Sequence, residues 1–132
     1  MKKLLLSALI FCCIAVGCTK TDVPAAPEES ISPIVKTDLP TSVNSLDPLQ
    51  FNVYHIVFNG CGRFQRADTR VNGKTVTVRF LAVYADQMCT MDIPTRITPY
   101  TFIPKEKGTY TFRFRSGNPQ KEEYIEEQLE VR

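Results

Sequence analysis

An alternation of apolar and polar residues beside the dipeptide Asn72-Gly73 constrains the fold of this 132-residue chain more than any other feature. The apolar positions after the dipeptide are Val76, Val78, Phe80, Ala82 and Tyr84, and they alternate with Thr75, Thr77 and Arg79. A period of two indicates a strand that buries one face. Asn-Gly between two such segments is the strongest short signal of a β-hairpin. We therefore expect residues 63–71 and 75–84 to pair as a hairpin with one face in the core.

Other segments of the chain also have the composition of strands. Residues 51–58 are β-branched and aromatic on both faces, which is typical of a buried strand. Residues 96–103 and 109–115 are strand-like on either side of a turn at 105–108. Together with the hairpin, these segments predict six or seven short strands. The expected fold is all-β, a single antiparallel β-sandwich over residues 49–132.

Charged side chains set expectations for the last two strands. Phe112 and Phe114 alternate with Arg113 and Arg115, so the aromatic rings are predicted to point inward and both arginines outward. The apolar spacing within residues 121–132 allows a helix or a strand. We favour a strand because it would give both arginines acidic cross-strand neighbours.

Residues 1–17 have the pattern of a secretory signal peptide. Lys2 and Lys3 precede an apolar run over residues 4–16, and Gly17 lies at the expected cut site. An uncleaved membrane anchor would need about 20 apolar residues, which this run does not reach.

The stretch Ile14-Ala15-Val16-Gly17-Cys18 resembles the lipobox of bacterial lipoproteins. The resemblance implies that the Cys18 thiol is acylated, that the peptide before it is removed, and that the mature chain is anchored in a membrane. Thr19 follows the cysteine instead of Asp, which by resemblance to Gram-negative sorting rules favours the outer membrane. Cleavage at another site would instead release a secreted, soluble protein.

Residues 18–48 differ in composition from the rest of the mature chain. Five of the nine prolines lie here, namely Pro24, Pro27, Pro33, Pro40 and Pro48. No helical or strand period is sustained in this range. We expect acylated Cys18 and the residues up to 48 to form an unstructured tether that holds the domain clear of the lipid headgroups.

Only two of the five cysteines remain for pairing in the mature domain. Cys12 and Cys13 fall in the signal peptide, and Cys18 is the predicted lipid acceptor. In an oxidising compartment the remaining pair, Cys61 and Cys89, predicts one disulfide. It would close a loop of 29 residues, counted from 61 to 89 inclusive, and stabilise the domain by roughly 3–4 kcal/mol.

A soft-metal site is the alternative use of these residues. Met88, Cys89 and Met91 cluster in the sequence and His55 lies elsewhere, and these are ligand types that copper prefers. The chain has no Cys-x-x-Cys motif and a single histidine. We therefore expect no metal ion and no cofactor, and we assign the methionines to the core.

The net charge of the chain belongs largely to the signal peptide. The full chain has 16 basic and 14 acidic residues, and removal of Lys2 and Lys3 leaves 14 of each. A nucleic-acid-binding protein needs a clustered positive excess, so we expect no nucleic-acid partner.

The segment Gly108-Thr109-Tyr110-Thr111-Phe112 resembles the entry to the penultimate strand of immunoglobulin-like sandwiches. The resemblance implies that the Tyr110 hydroxyl bonds back to nearby backbone. More broadly, the chain resembles a group of small bacterial envelope lipoproteins with one disulfide across a sandwich, through Asn59-Gly60-Cys61, the Asn72-Gly73 hairpin and Met88-Cys89-Thr90-Met91. That resemblance covers residues 50–132 and brings no activity with it.

Signals of catalysis are weak throughout the chain. His55 is the only imidazole and lies in an apolar strand, where a structural histidine is the simpler interpretation. The sequence has no Gly-x-Ser-x-Gly, no phosphate-binding glycine loop and no His-x-x-x-His. Asp86 and Asp92 stay open as an acid/base pair on spacing alone. We predict no catalytic residues and a non-enzymatic protein.

The function expected from the sequence is that of a lipid-anchored envelope protein. Its partners would be the membrane, through Cys18, and a protein or glycan bound by the sandwich. The alternatives are an inhibitor of a host or competitor hydrolase and a small envelope hydrolase. A rigid protruding loop around residues 105–108 would favour the inhibitor. A deep apolar pocket with convergent polar groups would favour the hydrolase.

Overall fold

A computed structural model describes residues 27–132 as two β-sheets packed face to face. The strands are β1 (Glu29–Ser32), β2 (Ile34–Thr37), β3 (Ser42–Val43), β4 (Leu49–Ile56), β5 (Arg63–Asn72), β6 (Thr75–Val83), β7 (Thr95–Phe102), β8 (Gly108–Ser116) and β9 (Glu123–Val131). Within this range no helix is long and apolar enough to cross a membrane. The predicted signal peptide over residues 1–17 and the predicted lipid acceptor Cys18 lie outside the described residues.

Strand β6 organises the larger sheet because it has neighbours along both edges. One edge pairs with β5 along its whole length. The other edge is divided: residues 75–78 pair in parallel with β8, and residues 80–83 pair antiparallel with β1. β9 continues the sheet beyond β8, and β3 lies beyond β9. The smaller sheet has the order β2, β4, β7.

The core lies between the sheets and is lined by alternate strand positions. In β6 every second side chain is buried, as the period of two predicts. Phe51 of β4 packs edge-to-face against Phe112 and Phe114 of β8, with ring centroids 6.1 and 6.2 Å apart. Each such pair contributes about 0.5–1.5 kcal/mol beyond its buried area, so these rings hold the two sheets together.

The hairpin predicted at Asn72-Gly73 is present. Asn72 pairs with Thr75, which leaves Gly73 and Lys74 as the two turn residues. Gly73 has a φ of +61°, in the left-handed region that other residues rarely adopt. Glycine at the first turn position is the signature of a type II′ hairpin, whose twist matches that of the flanking strands.

The predicted unstructured tether over residues 18–48 is wrong for residues 29–43, which form β1, β2 and β3. Strand pairing explains the difference, because β1 covers the part of the β6 edge that β8 leaves open and β2 pairs with β4. Ile34 is completely buried in the core. Pro33, Pro40 and Pro48 fall between strands or directly before one, where a missing N–H costs no ladder bond.

Six strands occupy residues 49–132, and their positions agree with the segments expected from the sequence. The strand favoured within 121–132 is confirmed as β9. Five pairings of the described strands are antiparallel, as predicted, whereas two, β3 with β9 and β6 with β8, are parallel. β6 and β8 can pair in parallel because the chain passes through β7 of the other sheet between them, which brings it back to the end of the sandwich where β6 begins.

The two arginines of β8 have different surroundings. Arg113 is paired with Glu126 across the strands, with 3.1 Å between Nε and Oε1, as expected. Arg115 is on the same outer face, because its guanidinium also lies over the Tyr124 ring, but it is only 4% exposed and its cross-strand neighbour is Tyr124 instead of an acidic residue. Its guanidinium donates hydrogen bonds to backbone carbonyls around the β8–β9 turn, those of Ser116, Pro119 and Glu123. Arg115 therefore closes that turn.

A buried polar network joins three strands around His55. Ser32 of β1 donates to the Ile56 carbonyl at 2.6 Å, so its oxygen accepts from Nδ1–H of His55, also at 2.6 Å. Nε2 of the neutral ring then accepts from the Thr98 hydroxyl of β7 at 2.9 Å. The network links both sheets through a histidine with no exposed surface.

The His55 network predicts a loss of stability in mild acid. Burial and the nearby positive charge of Arg96 lower the pKa of His55 from 6.5 to about 4. Since the unfolded chain binds a proton near pH 6.5, stability is complete above that pH and falls as the pH drops toward 4. Between pH 7 and 5 we expect a loss of about 2 kcal/mol in urea unfolding. His55→Gln should remove that slope, and an unchanged slope would contradict this role.

The two β8 arginines form a matched pair for a stability test. Arg115→Ala leaves several carbonyls without their donor and should lower the free energy of unfolding by about 2–3 kcal/mol. Arg113→Ala removes an exposed ion pair and should cost about 1 kcal/mol or less. Equal losses in denaturant titrations of the two variants would contradict the role assigned to Arg115.

Candidate functional site

The sandwich has two ends with different chemistry. The end formed by the β4–β5 loop (residues 57–62) and the β6–β7 loop (residues 84–94) is called here the disulfide end. The end formed by the turn Gly73-Lys74 and the β7–β8 loop (residues 103–107) is called the hairpin end. Strand β5 connects them with ten residues, so the ends lie roughly 33 Å apart.

Cys61 and Cys89, predicted as a pair, form a disulfide with Cα atoms 5.5 Å apart. Each of the two loops that it joins crosses from one sheet to the other. A backbone hydrogen bond from Gly60 N to Thr90 O, at 3.0 Å, holds the same loops together. The disulfide end is therefore cross-linked both covalently and through the backbone.

The methionines of the soft-metal alternative do not fill the core. Met88 and Met91 are 101% and 91% exposed, because the loop that carries them follows the end of β6 and runs over the surface. His55 is enclosed by its own hydrogen-bond network. Among residues 27–132, no three His, Cys, Asp or Glu side chains are grouped as a metal site requires.

Ser32 and His55 are residue types that form a nucleophile and its general base, but the direction of their hydrogen bond is the reverse of the one that catalysis needs. A serine nucleophile needs a histidine nitrogen that accepts the hydroxyl proton. Here the Ser32 proton goes to the Ile56 carbonyl and His55 is the donor to Ser32. Both side chains are fully buried. The arrangement suits a structural tie between strands.

Asp86 and Asp92, the carboxylates left open by the sequence, are both exposed in the β6–β7 loop.

A recess of about 300 Å³ opens at the hairpin end. Phe102 and Tyr110 form its apolar base, with ring centroids 5.2 Å apart and planes at 72°. Val71 and Ile103 stand at its walls and are 56% and 60% exposed. The volume is at the lower limit for a ligand pocket and suits one or two apolar side chains.

The wall of this recess is held rigidly by Tyr110. Its hydroxyl donates to the Glu106 carbonyl at 3.0 Å and accepts from the Glu106 N–H at 3.2 Å. The bond back to nearby backbone that the immunoglobulin-like resemblance implied is thus present. Lys74 lies 3.7 Å from the Glu106 carboxylate. Gly108 has a φ of +126°, a backbone conformation that other residues rarely adopt, so glycine is favoured at this position.

The rim of the recess carries charge of both signs. Lys105 and Glu106 line it, and Lys74 is the neighbour of Glu106. Lys105 forms no ion pair with any residue between 27 and 132. The arrangement can therefore receive an apolar group that has a carboxylate beside it.

A second, more polar cleft of about 460 Å³ lies near the disulfide end. Arg63, Arg96 and Thr98 line it, and Arg96 Nη2 donates to the Gly60 carbonyl at 2.9 Å. The positive charge of Arg96 also contributes to the lowered pKa of His55. The backbone contact of Arg96 shows that it positions the β4–β5 loop.

The sequence alone did not indicate the recess at the hairpin end. Its walls come from the end of β5, the end of β7 and the start of β8, and they meet only through the pairing of both sheets. The one usable signal was the glycine and tyrosine pattern of residues 108–112, which predicted the hydrogen bond that fixes the wall.

Residues 51–130 match the family described as the ORF11 beta-sandwich domain. The match begins in β4 and ends in β9, so it contains both walls of the recess and both cysteines of the disulfide. Strands β1, β2 and β3 precede it. No curated protein and no solved structure matches the chain. Because the match covers more than half of the sequence, the chain belongs to the ORF11 beta-sandwich domain family.

Proposed function

We propose that this protein is a lipid-anchored, non-enzymatic binding module of the cell envelope. The anchor is the acyl chains on Cys18, and the membrane is the outer membrane of a Gram-negative bacterium. Support for the anchor comes from the signal-peptide pattern and the lipobox resemblance at residues 14–18. The binding element is the recess at the hairpin end.

The rigid recess is the observation that carries the binding role. Ile103, in the wall of the recess, is 60% exposed beside an apolar base. An apolar group of a partner placed there would remove its own surface and that of Ile103 from water, which favours binding. The Tyr110 hydroxyl fixes the loop before any partner arrives. Preorganisation lowers the ordering cost of association and raises affinity for a given contact area.

An extended protein segment fits this recess better than a sugar. Sugars are bound largely through exposed aromatic faces, whereas Phe102 and Tyr110 are only 7% and 3% exposed. An apolar side chain can reach between Val71 and Ile103, and a neighbouring carboxylate can reach Lys105. The partner we infer therefore presents an apolar residue beside an acidic one.

An inhibitor of a hydrolase is the second candidate, favoured by the same clamped loop. Residues 105–107 are exposed and lie between two strands, and the loop is braced from within by Tyr110. Such a loop could enter the cleft of an enzyme as a convex element. The two candidates differ in which residues the partner covers. The first predicts burial of the recess wall at Ile103, and the second predicts burial of the loop tip at Lys105 and Lys107.

Replacing Cys18 by Ala should abolish lipid attachment. The thiol is the only acceptor that the lipobox resemblance provides, so palmitate labelling should disappear and the precursor should remain uncleaved. Cys61→Ala is the control, since it removes a disulfide sulfur and should keep the label. Equal palmitate incorporation into wild type and Cys18→Ala would contradict the anchor.

Ile103 and Ile97 form a matched pair for testing the recess. They are 60% and 59% exposed, but only Ile103 adjoins the hairpin-end recess. We expect the chain from residue 18 onward to bind members of an array of peptides that pair an apolar with an acidic residue. Ile103→Asp should weaken that binding about ten-fold or more, a loss of about 1.4 kcal/mol, and Ile97→Asp should not.

Fluorescence anisotropy of labelled peptides measures the affinity of both variants. Equal binding by the two variants would contradict a role for the recess. Loss of binding in Lys105→Ala and Lys107→Ala, with Ile103→Asp unaffected, would favour the inhibitor. Turnover of a peptide, sugar or ester that one point substitution abolishes without unfolding the domain would replace the binding role by an enzymatic one.

A further inference from the structure

The disulfide end presents apolar side chains to solvent. Met88 and Met91 are 101% and 91% exposed, and Ile93 and Phe58 are 61% and 41% exposed. These residues belong to the two loops that the Cys61–Cys89 disulfide joins. Large apolar groups that are held in solvent on cross-linked loops mark an interaction surface.

The chain also enters the sandwich at this end. Pro27, the first described residue, lies with Cys61 and Tyr84 in one surface recess, and Glu29 pairs with Val83 at the end of β6. Eight residues lie between Cys18 and Pro27, and the nine Cα–Cα steps that join these two residues reach about 32 Å when fully extended. The hairpin end lies roughly 33 Å further along the sandwich. A lipid on Cys18 therefore lets the disulfide end reach the bilayer without stretching the chain, whereas the hairpin end approaches the bilayer only when the residues after Cys18 are fully extended.

The disulfide end has no excess of positive charge. The two loops, the adjoining strand residues and the entering chain carry Arg63, Arg66 and Arg96 against Glu28, Glu29, Asp86 and Asp92. No positive field is available to attract an anionic surface. The apolar side chains must supply the attraction, which suits a zwitterionic lipid surface.

We infer that the disulfide end docks on the bilayer that holds Cys18, with Met88 and Met91 inserted among the lipid acyl chains. The inference rests on the proposed anchoring, which fixes which end approaches the lipid. The disulfide holds the two apolar loops together so that they enter the interface as one surface. Docking would leave the recess at the hairpin end facing away from the membrane.

The absence of tryptophan from the chain makes a direct test possible. Single variants Met88→Trp, Met91→Trp and Ile103→Trp place a reporter at each end, all at exposed positions. The chain from residue 18 onward contains every described strand, and its other two thiols are in the disulfide, so Cys18 couples alone to a maleimide lipid. The variants are tethered to phosphatidylcholine vesicles that carry brominated acyl chains, which quench tryptophan by contact.

The expected result is blue-shifted emission and loss of most of the intensity for Met88→Trp and Met91→Trp, with Ile103→Trp unchanged. Adding Met91→Asp to the Met88→Trp variant should restore its emission. Equal quenching at both ends, or none at either, would overturn the docking. Because the tether here is chemical, failure of acylation in cells would overturn the anchor alone, and failure of quenching would overturn the docking alone.

Discussion

The divided edge of β6 is the constraint on which the rest of the structure depends. β8 pairs with only the first half of that edge, so the second half would expose unpaired N–H and C=O groups beside the core. β1 supplies the missing partner through residues 29–32. The chain then crosses at Pro33 to place Ile34 in the core and β2 against β4. A segment with the composition of a linker thereby becomes part of both sheets.

This pairing also determines at which end of the domain the proposed anchor would join it. β1 can cover the open edge only beside the end of β6, which is the disulfide end. Ser32 in the same strand accepts from His55, so the polar network and the strand pairing support each other. The proposed membrane contact and the proposed binding recess consequently fall at opposite ends of the sandwich. A module built in this way can hold the membrane with one end and a partner with the other.

Local signals predicted the strands well where each strand carries its own period. β6 shows the alternation of Val76, Val78 and Phe80, and the glycine turn before it is visible in the sequence. The strands of residues 29–43 could not be predicted, because they are two to four residues long and are held by distant partners. Their prolines, which suggested a tether, lie at strand boundaries.

Side-chain environments were harder to predict than strands. The burial of Arg115 depends on carbonyls of the following turn, which the alternation of β8 cannot reveal. The methionines of the β6–β7 loop were expected in the core because their size and polarity suit it, yet the loop keeps them in solvent. The recess required side chains from three strands to converge. Such features follow from topology and not from local sequence.

Hydrogen exchange of the backbone amides tests most directly whether the N-terminal strands belong to the sandwich. In the chain from residue 18 onward, the bonded amides of residues 29–37 should open with the same free energy as those of β6, because both belong to one paired sheet. Exchange of residues 29–37 at the rate of a free chain, with β6 still protected, would contradict the account. The proposed anchor would then be connected to the domain by a flexible segment, and neither end of the sandwich would be directed toward the proposed membrane.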